Sequence, residues 1–269
     1  MRGKTAVITG ASAGIGEELA VALAERGAQL VLAARSEELL ARVKQRCEQA
    51  GGQALVVPTD VGDPEACRRL VARAVEAFGG IDYLVNNAGL TMRGLFEDVT
   101  DLSLFERLMR VNYLGSVYCT HEALPHVKAR RGMLVAISSL TGKNGVPGRT
   151  GYSASKHAMQ GFFDSLRIEL RGTGVDVLVV SPGFVATDIR VRALGPDGTP
   201  GKSDIPEETH GMMSVRTCAD IILRAMERRE REVVMMPAAK LIMALKAFVP
   251  GVLDSFAART MKKMKQVRL

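Results

Sequence analysis

Tryptophan is absent from this chain of 269 residues, and its other large aromatic side chains are only four tyrosines and eight phenylalanines. Proteins that bind single-stranded nucleic acid without sequence preference stack the bases on aromatic side chains. The scarcity of such side chains argues against that class of function.

Cysteine is sparse too, since Cys47, Cys67, Cys119 and Cys218 lie far apart and form no CxxC pair. Zinc ribbons and disulfide-rich domains need closely spaced cysteines, so the pattern is more typical of a protein of the reducing cytosol. The stretch HEALPH (121–126) separates its two histidines by five residues with a proline between them. That spacing does not place both on one helical face, and we predict no metal site.

Long apolar runs are also missing. The start, MRGKTAVITG, passes directly into a short strand-like run and lacks an apolar stretch as long as that of a signal peptide or a membrane anchor. The expected location is therefore cytoplasmic.

The net charge of +7 is distributed unevenly along the chain. Residues 238–269 contain seven Lys or Arg and one Asp, so this tail carries +6 and residues 1–237 carry only +1. A nearly neutral main body argues against binding of nucleic acid through a global electrostatic field. The basic, amphipathic tail has two interpretations: peripheral contact with a bilayer interface, or packing on the domain or on a neighbouring subunit.

Residues 1–237 alternate short apolar runs with amphipathic helical patterns. The runs are 5–9, 29–34, 54–60, 82–88, 133–139, 176–182 and 232–237. Their Val, Ile, Leu and Ala are nearly continuous, as in parallel strands buried on both faces. This rhythm predicts one α/β domain with a doubly wound parallel sheet and helices on both faces. The Gly- and Pro-rich stretch 188–213 interrupts it, either as a surface excursion or as an active-site lid.

A glycine-rich loop, TGASAGIG (9–16), follows the first predicted strand and leads into the first predicted helix. Glycines at this place let the backbone approach a pyrophosphate, whose charge is favoured by the helix N-terminus. The loop therefore predicts a dinucleotide-binding site.

Tyr152 and Lys156 are four residues apart in GYSASKHAM (151–159), which places them one helical turn apart on the same face. A neighbouring ammonium lowers the pKa of a phenol, and we expect Lys156 to depress the pKa of Tyr152. Ser139 lies thirteen residues before Tyr152, at the end of a predicted strand. Its hydroxyl can donate to a substrate carbonyl.

Four motifs resemble, in the same order, those of the short-chain dehydrogenase/reductase family. They are TGASAGIG (9–16), NNAG (86–89), YSASK (152–156) and SPG (181–183). Residues 138–170 are similar to its 11β-hydroxysteroid-dehydrogenase-like branch, and the stretches from SPGFVATDIRV through ALKAFVPGVLDSFAARTMKK are similar to its member 7B group. The resemblance implies a Rossmann-type, seven-stranded, mostly parallel sheet in three layers and a homodimer or homotetramer. The resemblance implies relatives that are membrane-associated through an N-terminal segment, which we do not expect in this sequence.

The resemblance implies a catalytic tetrad of Asn112, Ser139, Tyr152 and Lys156. In it Asn112 holds a water that relays protons to Lys156, and Lys156 also binds the nicotinamide ribose. The alternative for Asn112, which is not a favoured residue within a helix, is a buried polar residue with satisfied hydrogen bonds. The tetrad implies hydride transfer between a nicotinamide and a carbonyl carbon, with Tyr152 exchanging the proton.

The resemblance also implies a set of cofactor-binding residues. They are Gly10, Ser12, Gly14, Ile15, Gly16, Arg35, Asp60, Val61, Asn87, Ala88, Gly89, Tyr152, Lys156, Pro182, Gly183, Val185 and Thr187. Where NAD-specific sites place an acid, the sequence has Ala33 and Ala34, followed by Arg35. A guanidinium can hold a 2′-phosphate, so NADP(H) is predicted over NAD(H). The alternative for Arg35 is an exposed residue at a helix start.

Substrate selection is predicted to lie in the 188–213 loop and in a largely apolar wall. The wall residues are Leu90, Met92, Leu95, Pro147, Phe184 and Met212. An apolar wall favours a lipophilic ketone or aldehyde. The function predicted is an NADPH-dependent carbonyl reductase, the alternatives being an alcohol dehydrogenase that works oxidatively and a cofactor-sensing binding protein.

Overall fold

The computed structural model of the protein describes residues 1–187, 189, 191–201, 212–236, 245–246, 248–252, 254–255 and 258. The predicted loop 188–213 is thus described in part, and most of the tail 238–269 lies outside the described residues. Within the described part of the chain, no helix is both long enough and apolar enough to cross a membrane.

Seven parallel strands form one sheet in the order β3-β2-β1-β4-β5-β6-β7. They are β1 (Thr5–Thr9), β2 (Gln29–Ala34), β3 (Gln53–Pro58), β4 (Tyr83–Asn86), β5 (Met133–Ile137), β6 (Asp176–Ser181) and β7 (Glu232–Val234). The strand order reverses between β1 and β4, so a crevice opens there at the carboxyl ends of the strands. The predicted doubly wound sheet is confirmed.

Helices cover both faces of the sheet. They are α1 (Gly14–Ala24), α2 (Glu37–Gln49), α3 (Pro64–Phe78), α4 (Ser103–Leu108), α5 (Gly115–Ala129), α6 (Thr150–Glu169) and α7 (Val215–Glu227). Two short 3₁₀ turns span Phe96–Asp98 and Leu140–Gly142, and a π turn, Met109–Leu114, joins α4 to α5.

The sheet separates two hydrophobic cores because successive strand residues point to opposite faces. In β1, for example, Ile8 packs into the core under α1, α2 and α7, whereas Val7 packs into the core under α3, α5 and α6. All five residues of β1 are buried. The nearly continuous apolar runs of the sequence follow from burial on both faces.

The predicted bounds of β1 and β2 agree with the structure, but the other strands end one to three residues earlier than predicted. Pairing between β4 and β5 stops at Asn86 and Ala136, and pairing between β5 and β6 stops at Ile137 and Val180. The residues that follow β4, β5 and β6 leave the sheet and form the loops at its carboxyl edge.

Candidate active site

The loop between β1 and α1 presents an open helix N-terminus at this edge. Ala13 occupies the N-cap position of α1 and has no side-chain acceptor, whereas α2, α3 and α7 are capped by Ser36, Asp63 and Ser214. The first N–H groups of α1 therefore remain able to donate to an anion, which the helix dipole also favours. This geometry fits a pyrophosphate.

Two glycines of the loop lie where no larger residue fits. Gly10 has a φ of +64°, and a Cβ there would lie 2.8 Å from Ala88 Cα. A Cβ on Gly16 would lie 2.4 Å from the Gly10 carbonyl oxygen and 2.5 Å from Asn87 Nδ2. Asn87 Nδ2 donates to the carbonyl oxygens of Thr9 at 2.9 Å and Gly10 at 3.0 Å. The end of β4 is thus tied to the glycine loop.

The remaining predicted residues of the loop, Ser12, Gly14 and Ile15, are partly buried at the start of α1. Gly14 has a φ of +59°, and a Cβ on it would lie 3.3 Å from Thr187 Cγ2. The glycine loop and the segment after β6 therefore approach each other, as two sides of one cleft.

The predicted adenosine-binding residues lie at the ends of β2 and β3. Ala11 N donates to the Ala33 carbonyl oxygen at 3.1 Å, which places the end of β2 beside the glycine loop. Arg35 and Asp60 are exposed, and Val61 is buried next to Asp60. A cation and a carboxylate thus face solvent at the edge of the sheet that carries the glycine loop.

Ser139 and Tyr152 meet beyond the end of β5. The Ser139 Oγ accepts a hydrogen bond from Thr141 N at 3.2 Å and also hydrogen-bonds with the Tyr152 phenol. The neighbouring Ser138 is buried, and its Oγ lies 3.5 Å from the Lys156 carbonyl oxygen. Ser139, rather than Ser138, is therefore the serine that faces the phenol.

Lys156 lies one helical turn after Tyr152 on α6, and only 3% of it is exposed. Its Nζ donates to the Ile137 carbonyl oxygen at 2.8 Å and lies 3.7 Å from Met159 Sδ. Because burial disfavours the charged form, the pKa of Lys156 falls from its usual 10.5 to about 8.

The pKa of Tyr152 is raised in this structure, and the predicted lowering by Lys156 stays a prediction. Burial raises the pKa of Tyr152 above its usual value, and the Ser139 hydrogen bond and the positive charge of Arg149 lower it only in part.

Asn112 is fully buried in the π turn, and its amide is hydrogen-bonded on both sides. Oδ1 accepts from Leu90 N at 2.7 Å, while Nδ2 donates to the Leu90 carbonyl oxygen and to Ser155 Oγ, each at 2.9 Å. Ser155 Oγ in turn donates to the Tyr152 carbonyl oxygen at 2.8 Å. Asn112 therefore ties the loop after β4 to the helix that carries Tyr152, and its predicted role in the tetrad stays a prediction.

The end of β4 forms the surface between the glycine loop and the buried lysine. Ala88 N donates to Thr9 Oγ1 at 3.1 Å. A Cβ on Gly89 would lie 3.3 Å from Asn112 Oδ1 and 3.7 Å from Lys156 Nζ. Gly89 thus lies between the amide and the ammonium.

The segment after β6 closes the cleft on its other side. Pro182 and Val185 are buried, and Val185 forms an isolated parallel bridge with Met213. A Cβ on Gly183 would lie 2.4 Å from Met236 Sδ. The absence of a side chain at Gly183 therefore lets the chain that follows β7 pack directly on this segment.

A small apolar cluster, here called the substrate-side cluster, lies next to Tyr152. Its buried members are Met92, Leu104, Leu108 and Leu194. The predicted wall position of Met92 is corrected, because Met92 is fully buried and its sulfur accepts from Gly151 N at 3.2 Å. The other five predicted wall residues, all at least partly exposed, are Leu90, Leu95, Pro147, Phe184 and Met212.

Residues 191–201, a described part of the predicted loop, pack on the segment that follows β4. Leu194 N donates to the Thr91 carbonyl oxygen at 2.9 Å, and Arg93 N donates to the Leu194 carbonyl oxygen at 2.8 Å. Part of the predicted lid thus lies over the substrate-side cluster, and residues 202–211 lie outside the described residues.

Three residues of the site were not identified from the sequence: Thr91, Arg149 and Ser155. Arg149 Nη1 donates to Thr91 Oγ1 at 2.9 Å. Helical spacing was an available signal for two of them, since Arg149 lies three residues before Tyr152 and Ser155 three residues after it. The sequence holds no signal for the contact with Thr91, which is 58 residues away from Arg149.

Comparison with known sequences gives a consistent result. The family profile described as short chain dehydrogenase matches residues 4–194. An 11-beta-hydroxysteroid dehydrogenase of Pinus massoniana is 35% identical over 260 residues, covering 94% of this chain and 73% of its own length. Dehydrogenase/reductase SDR family member 7B of Bos taurus is 36% identical over 278 residues, covering 99% of this chain and 84% of its own.

Solved structures share the fold. A short-chain dehydrogenase/reductase from Burkholderia phymatum in complex with NAD is 27% identical, with a TM-score of 0.82 over 94% of this chain and 95% of the other. An alcohol dehydrogenase from Thermococcus sibiricus complexed with 5-hydroxy-NADP is 29% identical, with a TM-score of 0.73 over 86% of this chain and 94% of the other. Similar folds thus hold both kinds of dinucleotide.

Proposed function

The chain belongs to the short-chain dehydrogenase family and is an oxidoreductase of the hydroxysteroid-dehydrogenase-like type, and from this premise we propose that it reduces lipophilic ketones or aldehydes to alcohols with NADPH. The observation that carries the proposal is the meeting of Ser139, Tyr152 and Lys156 beside the uncapped glycine loop.

NADPH, when bound, supplies the hydride that goes to the carbonyl carbon. The residues of the chain hold the carbonyl oxygen and handle its proton. Ser139 donates its hydroxyl proton to that oxygen in a hydrogen bond, and Tyr152 transfers its phenolic proton to it. In the reverse direction the Tyr152 phenolate accepts the proton of the alcohol.

The protonation states of the two residues favour reduction. Because burial raises the pKa of Tyr152, the phenol stays protonated at neutral pH and is ready to act as an acid. Lys156, with a pKa of about 8, is close enough to neutrality to pass a proton on. We assign it two roles: replacing the proton of Tyr152 and binding the nicotinamide ribose.

Replacement of Tyr152 by Phe tests the chemical role. Turnover is expected to fall by about 10²- to 10⁴-fold, the contribution of a positioned proton donor, while NADPH binding is retained. Tyr118→Phe is a matched control. Tyr118 on α5 is also partly buried, but it packs against the core under α3, α5 and α6 and not against the substrate-side cluster. Equal turnover in wild type and Tyr152→Phe would contradict the mechanism.

A turnover screen separates the alternatives. A screen of diverse ketones, aldehydes and alcohols, each with NADPH or NADP, shows in which direction wild type works. Faster oxidation of alcohols with NADP would favour the oxidative dehydrogenase. Binding of NADPH with no turnover of any compound would favour the cofactor-sensing protein.

The choice of NADP(H) rests on Arg35, which is exposed immediately after β2. Arg35→Asp exchanges a potential partner of the 2′-phosphate for a charge that repels it. The variant is expected to bind NADPH more weakly and NADH more tightly, as measured by isothermal titration calorimetry. Arg42→Asp, on the exposed face of α2, makes the same charge change away from the strand end. An unchanged preference in Arg35→Asp overturns the assignment.

A lipophilic substrate is supported by the partly exposed apolar side chains beside Tyr152. Leu90 and Val99, like Tyr152, pack against the substrate-side cluster without being fully buried. Apolar carbonyl compounds are therefore expected to show lower KM values than sugars of similar size in the turnover screen. Equal KM values for the two classes would contradict this choice.

Assembly and surface contacts complete the proposal. We propose a homodimer or homotetramer, which sedimentation velocity measures directly. In the described part of the tail, Phe248 and Val252 are 83% and 66% exposed, which supports peripheral contact with a bilayer. Co-sedimentation with anionic vesicles, lost in Phe248→Ser, is the expected result, and equal sedimentation with and without vesicles contradicts it.

A further inference from the structure

Residues 193–201 form a small hairpin, here called the 193–201 hairpin. Leu194 and Pro200 pair in an antiparallel bridge. Between them the turn is closed by Gly195 N, which donates to the Thr199 carbonyl oxygen at 2.7 Å. Because its own backbone closes the turn, the hairpin packs on its neighbours as a unit.

Backbone hydrogen bonds attach this hairpin to the segment after β4 at two separate points. At the first point, Leu194 forms two backbone hydrogen bonds with that segment. At the second, the Pro196 carbonyl oxygen accepts from Thr100 N at 3.0 Å and from Asp101 N at 3.4 Å. A rotation of the hairpin about either point would break the bonds at the other.

Two glycines show how closely the hairpin fits its neighbours. A Cβ on Gly94 would lie 2.7 Å from Pro196 Cγ and 3.2 Å from Pro196 Cδ. Gly198, in the turn, has a φ of +74°, and a Cβ on it would lie 2.6 Å from Asp101 Oδ2. A proline ring cannot rotate away as a flexible side chain does, so a side chain at Gly94 would have to push the hairpin outward.

Arg107 holds the turn from outside. It lies on the exposed face of α4, and its guanidinium donates to the Gly198 carbonyl oxygen. On the same helix, Leu104 and Leu108 are buried in the substrate-side cluster, against which Tyr152 packs. One short helix therefore carries both a part of the apolar cluster and the side chain that holds the hairpin.

The hairpin itself contributes to that cluster through Leu194. This residue is buried and forms an isolated parallel bridge with Met92, which is fully buried. Close-packed apolar groups leave little free volume between them. A substrate substituent directed at this side of Tyr152 therefore gains room only if the hairpin moves away.

We propose that the 193–201 hairpin is a fixed wall of the substrate site and that Arg107 is its positioning residue. The wall limits the bulk of the substrate beside Tyr152, which favours ketones with one small substituent, such as methyl ketones. This selectivity rests on the proposed function, because it concerns the substrate of that reaction. The attachment of the hairpin does not rest on it.

Hydrogen–deuterium exchange tests the attachment without any substrate. The N–H groups of Leu194 and Arg93, which join the hairpin to the segment after β4, should be protected in wild type. In Arg107→Met they should exchange roughly 10-fold faster or more, the effect of losing one hydrogen bond to a charged group. Arg107→Lys keeps a charged donor and should exchange more slowly than Arg107→Met.

Gly94→Ala should speed the same exchange, because its methyl group meets the Pro196 ring. Gly145→Ala is the matched control, since Gly145 is an exposed glycine of the loop before α6 with open space around its Cβ. It should behave as wild type. Unprotected N–H groups in wild type, or unchanged exchange in both Arg107→Met and Gly94→Ala, would overturn the inference. Should circular dichroism show that Gly94→Ala is unfolded, Arg107→Met decides alone.

Turnover of two ketones with NADPH tests the selectivity. Wild type should favour a methyl ketone over the matched isopropyl ketone by roughly 10-fold or more in kcat/KM, as a pocket that excludes extra methylene groups does. In Arg107→Met and Gly94→Ala this ratio should fall toward equality, while NADPH binding is retained.

The ratio separates a selective wall from a general structural role. If both ketones lost the same factor in the variants, the wall would not select the substrate and the inference would be wrong. Absence of turnover of any ketone by wild type would contradict the proposed function, whereas the exchange experiment would still decide whether the hairpin is held by Arg107.

Discussion

The cofactor side of the cleft, formed by the glycine loop and the end of β4, and the substrate side, formed by the substrate-side cluster and residues 191–201, are each held together by different kinds of contact. On the cofactor side, the Asn87 amide binds the carbonyl oxygens of Thr9 and Gly10, and glycines fill positions without room for a Cβ. On the substrate side, long side chains add to the backbone hydrogen bonds between Leu194 and the segment after β4: Arg149 binds Thr91, and Arg107 binds the Gly198 carbonyl oxygen. Close-packed glycines shape the first side, and contacts of long side chains with distant residues are found on the second.

This difference has a consequence for specificity. A backbone cradle tolerates few residue types but serves any dinucleotide with a pyrophosphate. Contacts made by individual side chains can be exchanged one at a time, so the substrate side can change its shape while the sheet and the glycine loop remain intact.

The largest expected effect comes from placing a side chain on the cofactor side. Gly16→Ala would bring a Cβ within 2.4 Å of the Gly10 carbonyl oxygen, so we expect loss of dinucleotide binding and a fall of roughly 3 kcal/mol in the free energy of unfolding. Calorimetric NADPH binding and denaturant unfolding measure the two. Gly161→Ala, with open space around its Cβ on α6, should instead stabilise the protein by about 0.5–1 kcal/mol. Equal changes in NADPH binding and in the free energy of unfolding for the two variants would contradict the expected difference between Gly16 and Gly161.

The next largest effect is expected from a cavity on the substrate side. Met92→Ala removes a fully buried side chain from the substrate-side cluster, at a cost of about 2–5 kcal/mol in the free energy of unfolding. Leu102→Ala, at an exposed position nearby, should cost less than about 0.5 kcal/mol. Equal, small losses would mean that this side is too loosely packed to form a core of its own.

Lys156 lies between the two sides and should give stability a pH dependence. With its pKa lowered from 10.5 to about 8, the folded lysine loses its proton above pH 8 while the unfolded lysine keeps it until about 10.5. The unfolded state then binds more protons, so the free energy of unfolding of wild type should rise with pH in this window, by up to about 3 kcal/mol relative to Lys156→Met. Denaturant unfolding at several pH values measures this difference.

Lys44→Met is the control for that comparison, because Lys44 on α2 is partly exposed, unlike the buried Lys156. It should follow wild type across the whole window. If the difference in free energy of unfolding between wild type and Lys156→Met stays constant from pH 8 to 10.5, burial does not lower the pKa of Lys156.

The smallest effect on stability is expected for Phe184→Ala. Phe184 is 64% exposed after β6, so the free energy of unfolding should change by less than about 0.5 kcal/mol. The KM for lipophilic substrates should nevertheless rise, since an exposed aromatic side chain at the cleft has substrate as its natural partner. An unchanged KM for every compound in the turnover screen would remove Phe184 from the predicted wall.

Much of the cofactor side was predictable from the sequence. Runs such as TAVIT and QLVLAA gave the correct bounds of β1 and β2, and Ser36, which caps α2, is a residue type typical of helix N-caps. These features are local, because a strand buried on both faces and a capped helix start each leave a mark within a few residues.

The substrate side was less predictable because its contacts join distant residues. Met92 looked like part of an apolar wall, since the sequence does not show that Leu194 covers it. Helical spacing places Lys156 one turn from Tyr152, but it does not show that the Lys156 ammonium binds the Ile137 carbonyl. Spacing shows which side chains share a helical face and leaves open the group to which each one bonds.

The π turn Met109–Leu114 amounts to a one-residue insertion in an otherwise α-helical run. Each added residue rotates the remainder of the helix by about 100°. With the insertion, Leu104 and Leu108 face the substrate-side cluster while Cys119 and Ala123 face the core under α3 and α5. Deleting one residue from this turn would rotate one of the two apolar faces away from the residues that it packs on. Insertions and deletions should therefore be tolerated in surface loops but not in the π turn that contains Asn112.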